Sequence, residues 1–404
     1  MHRKINIQWL ILIILAGLFS IAYLANVVFP GKVNPTAFKY FTIDQIQSAR
    51  AYNFIPRLSY ITSFITQAIV LIWFAFSNKG AAIARWVENK SRGNFWVGVL
   101  FYFLLIWIIL SLVRLPLILY SDFFWQHSWG LSTQSLLLWW QDFFKSAIID
   151  LFLSVCGVLF FFFILTRWPK FWWIIGAAFL AVWLVFQNLL WPVIVAPLFN
   201  KFVVVKDPDV TSVVTRLADK AGMQVKEVLV MDASRRTTMV NAYFTGLGKT
   251  KRIVAYDNLL NNYPLEKVSV ILAHEFGHWS KGHIIKGLAL GIIGTFLVWA
   301  VMVFFLSEFK SSKGFYLIQT WAGLQLFIML ILFVINPLQS FVSREMEIQA
   351  DRFALELTGD SKALVNVQID LTIKNKSDVS PPEFIVWFGY NHPPVLSRIN
   401  ELGG

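Results

Sequence analysis

The sequence predicts a mainly α, polytopic membrane protein in which seven helical spans carry a small α+β module. Three observations lead there. Only 14% of the residues are charged, against roughly a quarter in an average soluble chain. Seven stretches are apolar over the length of about 20 residues that a helix needs to cross a hydrocarbon core. Polarity then rises sharply in two segments, 200–284 and 338–404, which the last two apolar stretches separate.

Composition also removes some function classes. The 38 Phe and 18 Trp suit a lipid-facing surface better than a water-soluble shell. A net charge of +12 raises the question of nucleic acid, but the basic residues are spread between apolar runs and form no nucleic-acid motif. Basic loops beside membrane spans account for the charge, and no nucleic-acid partner is expected. Cys156 is the only cysteine, so neither an intramolecular disulfide nor a cysteine-based metal cluster is available. It lies in the apolar stretch 148–165 and reads as a packing residue.

Along the chain, MHRK precedes an apolar run at 7–29 with the polarity of a signal sequence. The run is too long for a signal core and lacks a small-residue cleavage site, so a retained span is expected. Spans at 58–77, 95–120, 147–165 and 171–195 follow, making residues 1–199 a five-helix part. Arg114, beside Pro116 in the third span, either faces a protein or water-filled interior or snorkels to the nearby interface. Pro192 and Pro197 stop the fifth span.

Residues 200–284 then read as the first part of the module. Asp207 and Gly222 bracket an amphipathic helix, and 225–231 reads as a strand. Extended stretches at 238–246 and 252–257, joined by a turn at 248–251, read as a hairpin. Pro264 and Glu266 open a helix that runs to about His283. Spans at 287–306 and 315–335 occupy 285–337, and a long helix at 338–357 opens the second part of the module, 338–404.

The chemistry sits on the helix that Pro264 opens. AHEFGHWSKGH sets His274 and His278 four residues apart, on one helical face, where both imidazoles can bind one cation. Glu275 stands beside the first of them as a base rather than a ligand, the HExxH logic of zinc peptidases. The bland reading is a helix bearing two solvated histidines. A catalytic zinc site needs a third protein ligand. The pattern HExxHxxGxxH would need Gly at 281 and His at 284, where Lys281 and Ile284 stand, so His283 is off register for that role. SREMEIQADRFAL offers Glu345, Glu347 and Asp351 instead. Glu347 and Asp351 share one helical face, so one can bind metal while the other braces a ligand histidine. The alternative is a surface helix whose acids pair with Arg344 and Arg352.

HEFGHWSKGH followed by EIQAD resembles the HExxH and ExxxD pair of the M48 metallopeptidases and, within that family, the Ste24-type CAAX prenyl proteases. APLFNKF after the fifth span, NAYFTGLGKTKRIVAYD before the HExxH helix and NHPPVLSRI near the end carry the same resemblance. It covers most of residues 190–404, and the span count extends it over the whole chain. One departure is Ser343-Arg344-Glu345-Met346, where many relatives have two basic residues and an aromatic; Glu345 is an extra carboxylate.

The resemblance implies seven spans arranged as a barrel around a water-filled chamber, with a zinc metalloprotease module. It implies one Zn²⁺ per chain, held by His274, His278 and Glu347, with Asp351 orienting a ligand histidine and Glu275 as general base. His392 and Arg398 match residues that contact the substrate backbone near the metal. Asn241, Ala242, Tyr243, Phe244 and Thr245 match an edge strand along which a peptide lies. On pattern alone, Arg398 also reads as an exposed helix arginine and Asn241 as a turn residue. The implied activity is zinc-dependent endoproteolysis near the C-terminus of prenylated or membrane-associated proteins.

Two other readings stand beside it. One is an HtpX-like protease of membrane-protein quality control, whose relatives have fewer spans. The other is a channel or transporter with a structural zinc, whose spans should carry paired charges or broken helices. The expected location is a bacterial inner membrane or an endoplasmic reticulum membrane. Orientation is read two ways. Lys and Arg are more numerous in the short segments on the N-terminal side than at Lys32, Lys39, Arg50, Arg57 and Lys145 opposite, which puts the N-terminus inside and the module outside. The resemblance implies a module facing the cytosol, and that orientation is the one expected here.

Overall fold

Residues 5–225, 227–246, 252–311, 314 and 316–403 are described by the structure, a computed structural model of the chain. Among them, seven helices are long and apolar enough to cross a membrane. The first part of the chain forms α1 (Ile7–Val28), α2 (Ile43–Phe76), the short connecting α3 (Asn78–Lys90), α4 (Phe95–Ile118), α5 (Leu136–Arg167) and α6 (Trp172–Leu190). The module adds α7 (Pro208–Lys220) and α8 (Leu265–Ser280) before the spans α9 (His283–Leu306) and α10 (Thr320–Thr358). Three shorter helices, α11 (Ser361–Lys374), α12 (Glu383–Gly389) and α13 (Val395–Glu401), complete the chain.

Several helices extend beyond the stretches that hydropathy marks. α2 starts at Ile43, well before 58, because Thr42 and Gln45 form a capping box that satisfies the first orphan N–H groups. α5 starts at Leu136, before 147, where the Ser135 side chain accepts from Leu138 N. Hydropathy reports only the part of a helix that suits lipid, and these helices continue past it. The predicted span 315–335 and helix 338–357 are one element, α10, with Pro337 buried inside it. Proline removes one backbone bond there without ending the helix. Conversely, α8 ends at Ser280 rather than near His283, because Gly282 adopts a left-handed conformation (φ 66°) and a new helix begins at His283.

The outer surface of the spans is apolar. Ile21, Leu112, Ile148, Val182 and Leu297 are all exposed, a surface that fits hydrocarbon and not water. Cys156 is on this exposed side of α5, so it is not the core packing residue expected from its apolar surroundings. Arg114 is exposed on α4. Inside, Trp9, Tyr102, Phe103, Phe162 and Phe327 are fully buried in one continuous core.

The module holds a four-stranded sheet of β1 (Phe202–Val204), β2 (Glu227–Met231), β3 (Ala242–Thr245) and β4 (Arg252–Tyr256), in the order β1-β2-β4-β3. β3 and β4 pair antiparallel, Ala242 opposite Ala255 and Thr245 opposite Arg252, as the hairpin reading requires; its turn at 248–251 lies outside the described residues. β2 runs parallel to β4, and β1, which the sequence reading did not anticipate, lies antiparallel on β2. The amphipathic helix is α7, with Asp207 as its N-cap. Val213 and Leu217 of α7 pack with Leu272 and Phe276 of α8 and Leu364 and Val367 of α11.

Two contacts fix the module on the spans. The first joins α8 to α10: a Cβ on Gly277 would lie 2.8 Å from both Cα and O of Ala350, so the two helices meet backbone to backbone. The second joins α2 to the C-terminal segment. Arg57, counted above among loop residues, is buried within α2, 2.8 Å from Asp378 Oδ2, and donates to Tyr390 Oη at 2.6 Å. Asn53 donates to Lys376 O and Arg50 to Ser380 O, while Phe41 and Ile46 pack on Val395, Leu396 and Ile399.

Gly277→Ala is expected to destabilise by about 1–3 kcal/mol, the usual cost of overpacking a filled contact. Thermal unfolding of the purified protein in detergent checks it, and an unchanged midpoint would refute the backbone contact. Asp378→Ala leaves Arg57 buried without its anion and should cost about 3–5 kcal/mol in the same measurement.

Candidate active site and metal centre

α8 and α10 cross with Gly277 at their contact, and this sets the histidines of one helix against the carboxylates of the other. His274 Nε2 lies 3.1 Å from His278 Nε2 and 3.3 Å from Glu347 Oε2. Glu347 Oε1 lies 3.2 Å from His278 Nε2. Tetrahedral ligands at about 2.0–2.2 Å from a zinc ion stand about 3.3 Å apart, so the spacing of the two imidazole nitrogens from each other, and of each from one oxygen of the Glu347 carboxylate, suits one such ion. Glu347 is buried, and its Oε2 has no hydrogen-bond partner among the described residues. Burial alone would lower the His274 pKa, yet Asp351 and Glu347 raise it to about 10. The cluster therefore attracts positive charge. His274, His278 and Glu347 are the one group of metal-ligating side chains found among the described residues.

Each histidine is also held through its other nitrogen. His274 Nδ1 donates to Asp351 Oδ1 at 2.8 Å. Asp351 in turn accepts from Arg398 twice, from Nε at 2.7 Å and from Nη2 at 2.6 Å. Such a bidentate pair fixes the carboxylate in plane as well as in charge. His278 Nδ1 lies 3.0 Å from His283 Nδ1, and His283 Nε2 lies 3.2 Å from Gln349 Oε1. Register excludes His283 as a ligand but says nothing of a bracing role. The signal that could have found it is Gly282, which ends the helix and sends the next residue back over His278.

Glu345 is exposed, whereas Glu347 faces the histidines. The two arginines beside these acids do not pair with them. Arg344 donates to Val386 O and Tyr390 O, and Arg352 pairs with Glu401 at 2.9 Å. The surface-helix reading of this segment therefore does not hold.

Glu275 points toward the sheet, where its carboxylate accepts the backbone N–H of Phe244 on β3. Burial pushes its pKa up, against the pull of His274 and His278. β3 is an edge strand, and Phe244 packs its ring on Phe276 and Trp279 of α8. Asn241 precedes the strand; its side chain accepts from Ala242 N at 2.9 Å and its carbonyl from Tyr256 N at 3.0 Å. His392 lies 3.4 Å from Glu347 Oε2 and keeps half of its side chain exposed.

These residues open on a cavity of about 1020 Å³. The module lines it with Asn241, Ala242, His274, Glu275, His392 and Arg398, and the spans with Tyr23, Arg57, Tyr60 and Asn336. Arg114 is not among its lining residues. Tyr243, Phe244 and Thr245 line a second cleft of about 490 Å³ with Gln187, Asn188, Trp191 and Ile284.

Comparison with known proteins agrees with this arrangement. Residues 205–404 match the family model for peptidase family M48, and residues 29–201 match that for CAAX prenyl protease N-terminal, five membrane helices. The chain is 32% identical to CAAX prenyl protease 1 of Saccharomyces cerevisiae, over 72% of this chain and 69% of that one. It is 29% identical to the uncharacterized metalloprotease YhfN of Bacillus subtilis, over 82% and 80% of the two chains. The crystal structure of S. mikatae Ste24p matches with a TM-score of 0.83 over 100% of both chains, at 26% identity. The chain is an integral membrane metalloendopeptidase, and neither the HtpX-like reading nor a channel with structural zinc is favoured. It belongs to peptidase family M48, in the Ste24-type CAAX prenyl protease branch.

Proposed function

We propose that His274, His278 and Glu347 hold one zinc ion and that Glu275 is the general base of a peptide-bond hydrolysis carried out at the wall of the cavity. The observation that carries this reading is the convergence of His274 Nε2, His278 Nε2 and the Glu347 carboxylate: the nitrogens lie 3.1 Å apart, each within 3.2–3.3 Å of one carboxylate oxygen, and the buried Glu275 carboxylate is close enough to feel both histidines. When bound, zinc supplies a Lewis acid that polarises the scissile carbonyl and makes water acidic enough to attack near neutral pH.

The remaining work falls to the chain itself. Glu275 takes the proton of the attacking water on its carboxylate and returns it to the nitrogen of the leaving amine. Its raised pKa suits this task, because a base working near neutrality should not be too weak. Asp351 keeps His274 in the tautomer whose Nε2 carries the lone pair. His392 and Arg398 hydrogen-bond the substrate backbone beside the reacting carbonyl, where negative charge develops. Asn241 and β3 receive the peptide as an added strand, a mode that asks little of its sequence.

The substrate class proposed is a prenylated or membrane-associated protein, cut near its C-terminus on the cytosolic face of the membrane. Support comes from the cavity, which joins apolar membrane helices to the site, and from the relatives whose names specify CAAX prenyl proteases.

Three outcomes test this reading. Glu275→Ala should lose at least about 10²–10⁴ of the turnover rate while its zinc content stays that of the wild type. Glu347→Ala should lose zinc and Glu345→Ala should keep it, by metal analysis of the purified variants; the reverse result would move the third ligand two positions. Finally, the zinc-loaded protein is given one peptide with a farnesylated CAAX terminus and one without, beside a chelator control. Preferential cutting of the farnesylated peptide supports the CAAX activity. Equal cutting shifts the role to general membrane-protein turnover.

A further inference from the structure

The two histidines of the HExxH helix are braced by different chemistry. His274 leans on a carboxylate that is itself locked by an arginine. His278 leans on a second imidazole, His283, and through it on the side-chain amide of Gln349. His283 is 5% exposed, so it is shut off from solvent rather than lining the cavity. It reaches His278 because the left-handed turn at Gly282 breaks the helix after Ser280, and α9 begins with its side chain folded back over α8.

From this geometry we infer that His283 and Gln349 form a positioning pair for His278, an inference that rests on the zinc reading above. The proton positions follow from ligation. A histidine that binds a cation through Nε2 must keep its proton on Nδ1. His278 Nδ1 therefore donates to His283 Nδ1, which accepts only if His283 carries its own proton on Nε2. That proton then faces Gln349 Oε1, the acceptor the structure supplies at 3.2 Å. Every donor in the chain meets an acceptor in one arrangement, and no member is left to choose its tautomer. Gln349 stands two residues beyond Glu347 on α10. The pair thus ties the second histidine to the helix of the third ligand, and both to the first turn of the membrane span α9.

His283 has no free valence for the metal itself, because its Nδ1 is taken by His278 and its Nε2 by Gln349. It acts on the site only through His278. A histidine merely packed in the core would give a different result when replaced, because packing tests volume whereas positioning tests hydrogen-bond acceptance.

The test uses the full chain in detergent, with zinc as the probe. Three readouts are taken: zinc release to a competing chelator, the visible absorption of the cobalt(II)-substituted protein, and thermal unfolding of the metal-free form. His283→Leu keeps an apolar side chain but offers no acceptor. It should weaken zinc binding by about 10–100-fold and alter the cobalt spectrum, with little change in metal-free unfolding. His283→Gln, whose amide oxygen can accept from His278 Nδ1, should restore most of the affinity. Gln349→Leu should act in the same direction as His283→Leu but more weakly.

Wild-type affinity in both His283→Leu and Gln349→Leu would overturn the inference. So would equal losses in His283→Leu and His283→Gln accompanied by a lower metal-free midpoint, because that pattern marks packing alone. A wild-type protein that takes up no zinc would remove the zinc reading first, and this inference with it.

Discussion

The site depends on a contact between two small residues. Gly277 and Ala350 let α8 and α10 meet at backbone distance, since a Cβ on Gly277 would lie 2.8 Å from Cα and O of Ala350. Gly277 stands between His274 and His278 in its helix, and Ala350 stands between Glu347 and Asp351 in the other. The point of nearest contact is therefore the middle of the site. A glycine inside a helix costs about 0.5–1 kcal/mol relative to alanine. The apolar face of α8, with Ile271, Leu272, Ala273 and Phe276 buried, offsets that cost. Without the contact, a carboxylate on α10 would stand too far from two imidazoles to share one ion with them.

The C-terminal segment reaches the site by a longer route. Its anchor is α2, whose Arg57 binds Asp378 and Tyr390 and whose first turns pack on α13. α13 carries Arg398, which closes on Asp351. Two buried ion pairs thus border the cavity, Arg57 with Asp378 and Arg398 with Asp351, each with its charge balanced in place. Buried pairs of this kind contribute little net stability, but breaking one exposes an uncompensated charge. Their use here is geometric: they fix where a membrane helix and a water-exposed segment meet. This explains how a module split in sequence by two spans still forms one site.

Much of this was legible in the residues, and the reasons for the rest are physical. The HExxH spacing announces a shared face because four residues span little more than one turn. The same arithmetic separates Glu347 from Glu345: two residues apart on a helix are about 200° apart, so only one can face α8. It also pairs Glu347 with Asp351, four apart. Helical spacing alone does not show which of the two glutamates turns inward, because that depends on where α8 docks; the resemblance of EIQAD to the family's ExxxD pair is what points to Glu347. β1 was missed because its three residues follow an apolar span directly, and two of them, Val203 and Val204, stay exposed. The starts of α2 and α5 were missed because hydropathy is blind to helix that leaves the lipid. The division between a span at 315–335 and a helix at 338–357 is not a boundary, since α10 runs through both with Pro337 buried inside it. His283 was judged by register alone, and register says nothing about a residue beyond a helix break.

The edge strand bears on where specificity resides. An open strand edge invites pairing with any extended chain. Here two outward N–H groups of β3 are already satisfied, Ala242 by the side chain of Asn241 and Phe244 by Glu275. A peptide adding to β3 in the proposed mode exchanges these bonds for its own and does not fill vacancies. A hydrogen bond exchanged in this way contributes less than the roughly 0.5–1.5 kcal/mol net of a bond newly formed. Main-chain pairing would then align a substrate without holding it tightly. In that mode selection would come from contacts away from the strand, along the cavity of about 1020 Å³ that residues of the membrane helices line. In the proposed mode the strand edge would stay quiet until a chain held elsewhere in the cavity is laid against it, which would keep the enzyme from acting on every extended peptide it meets.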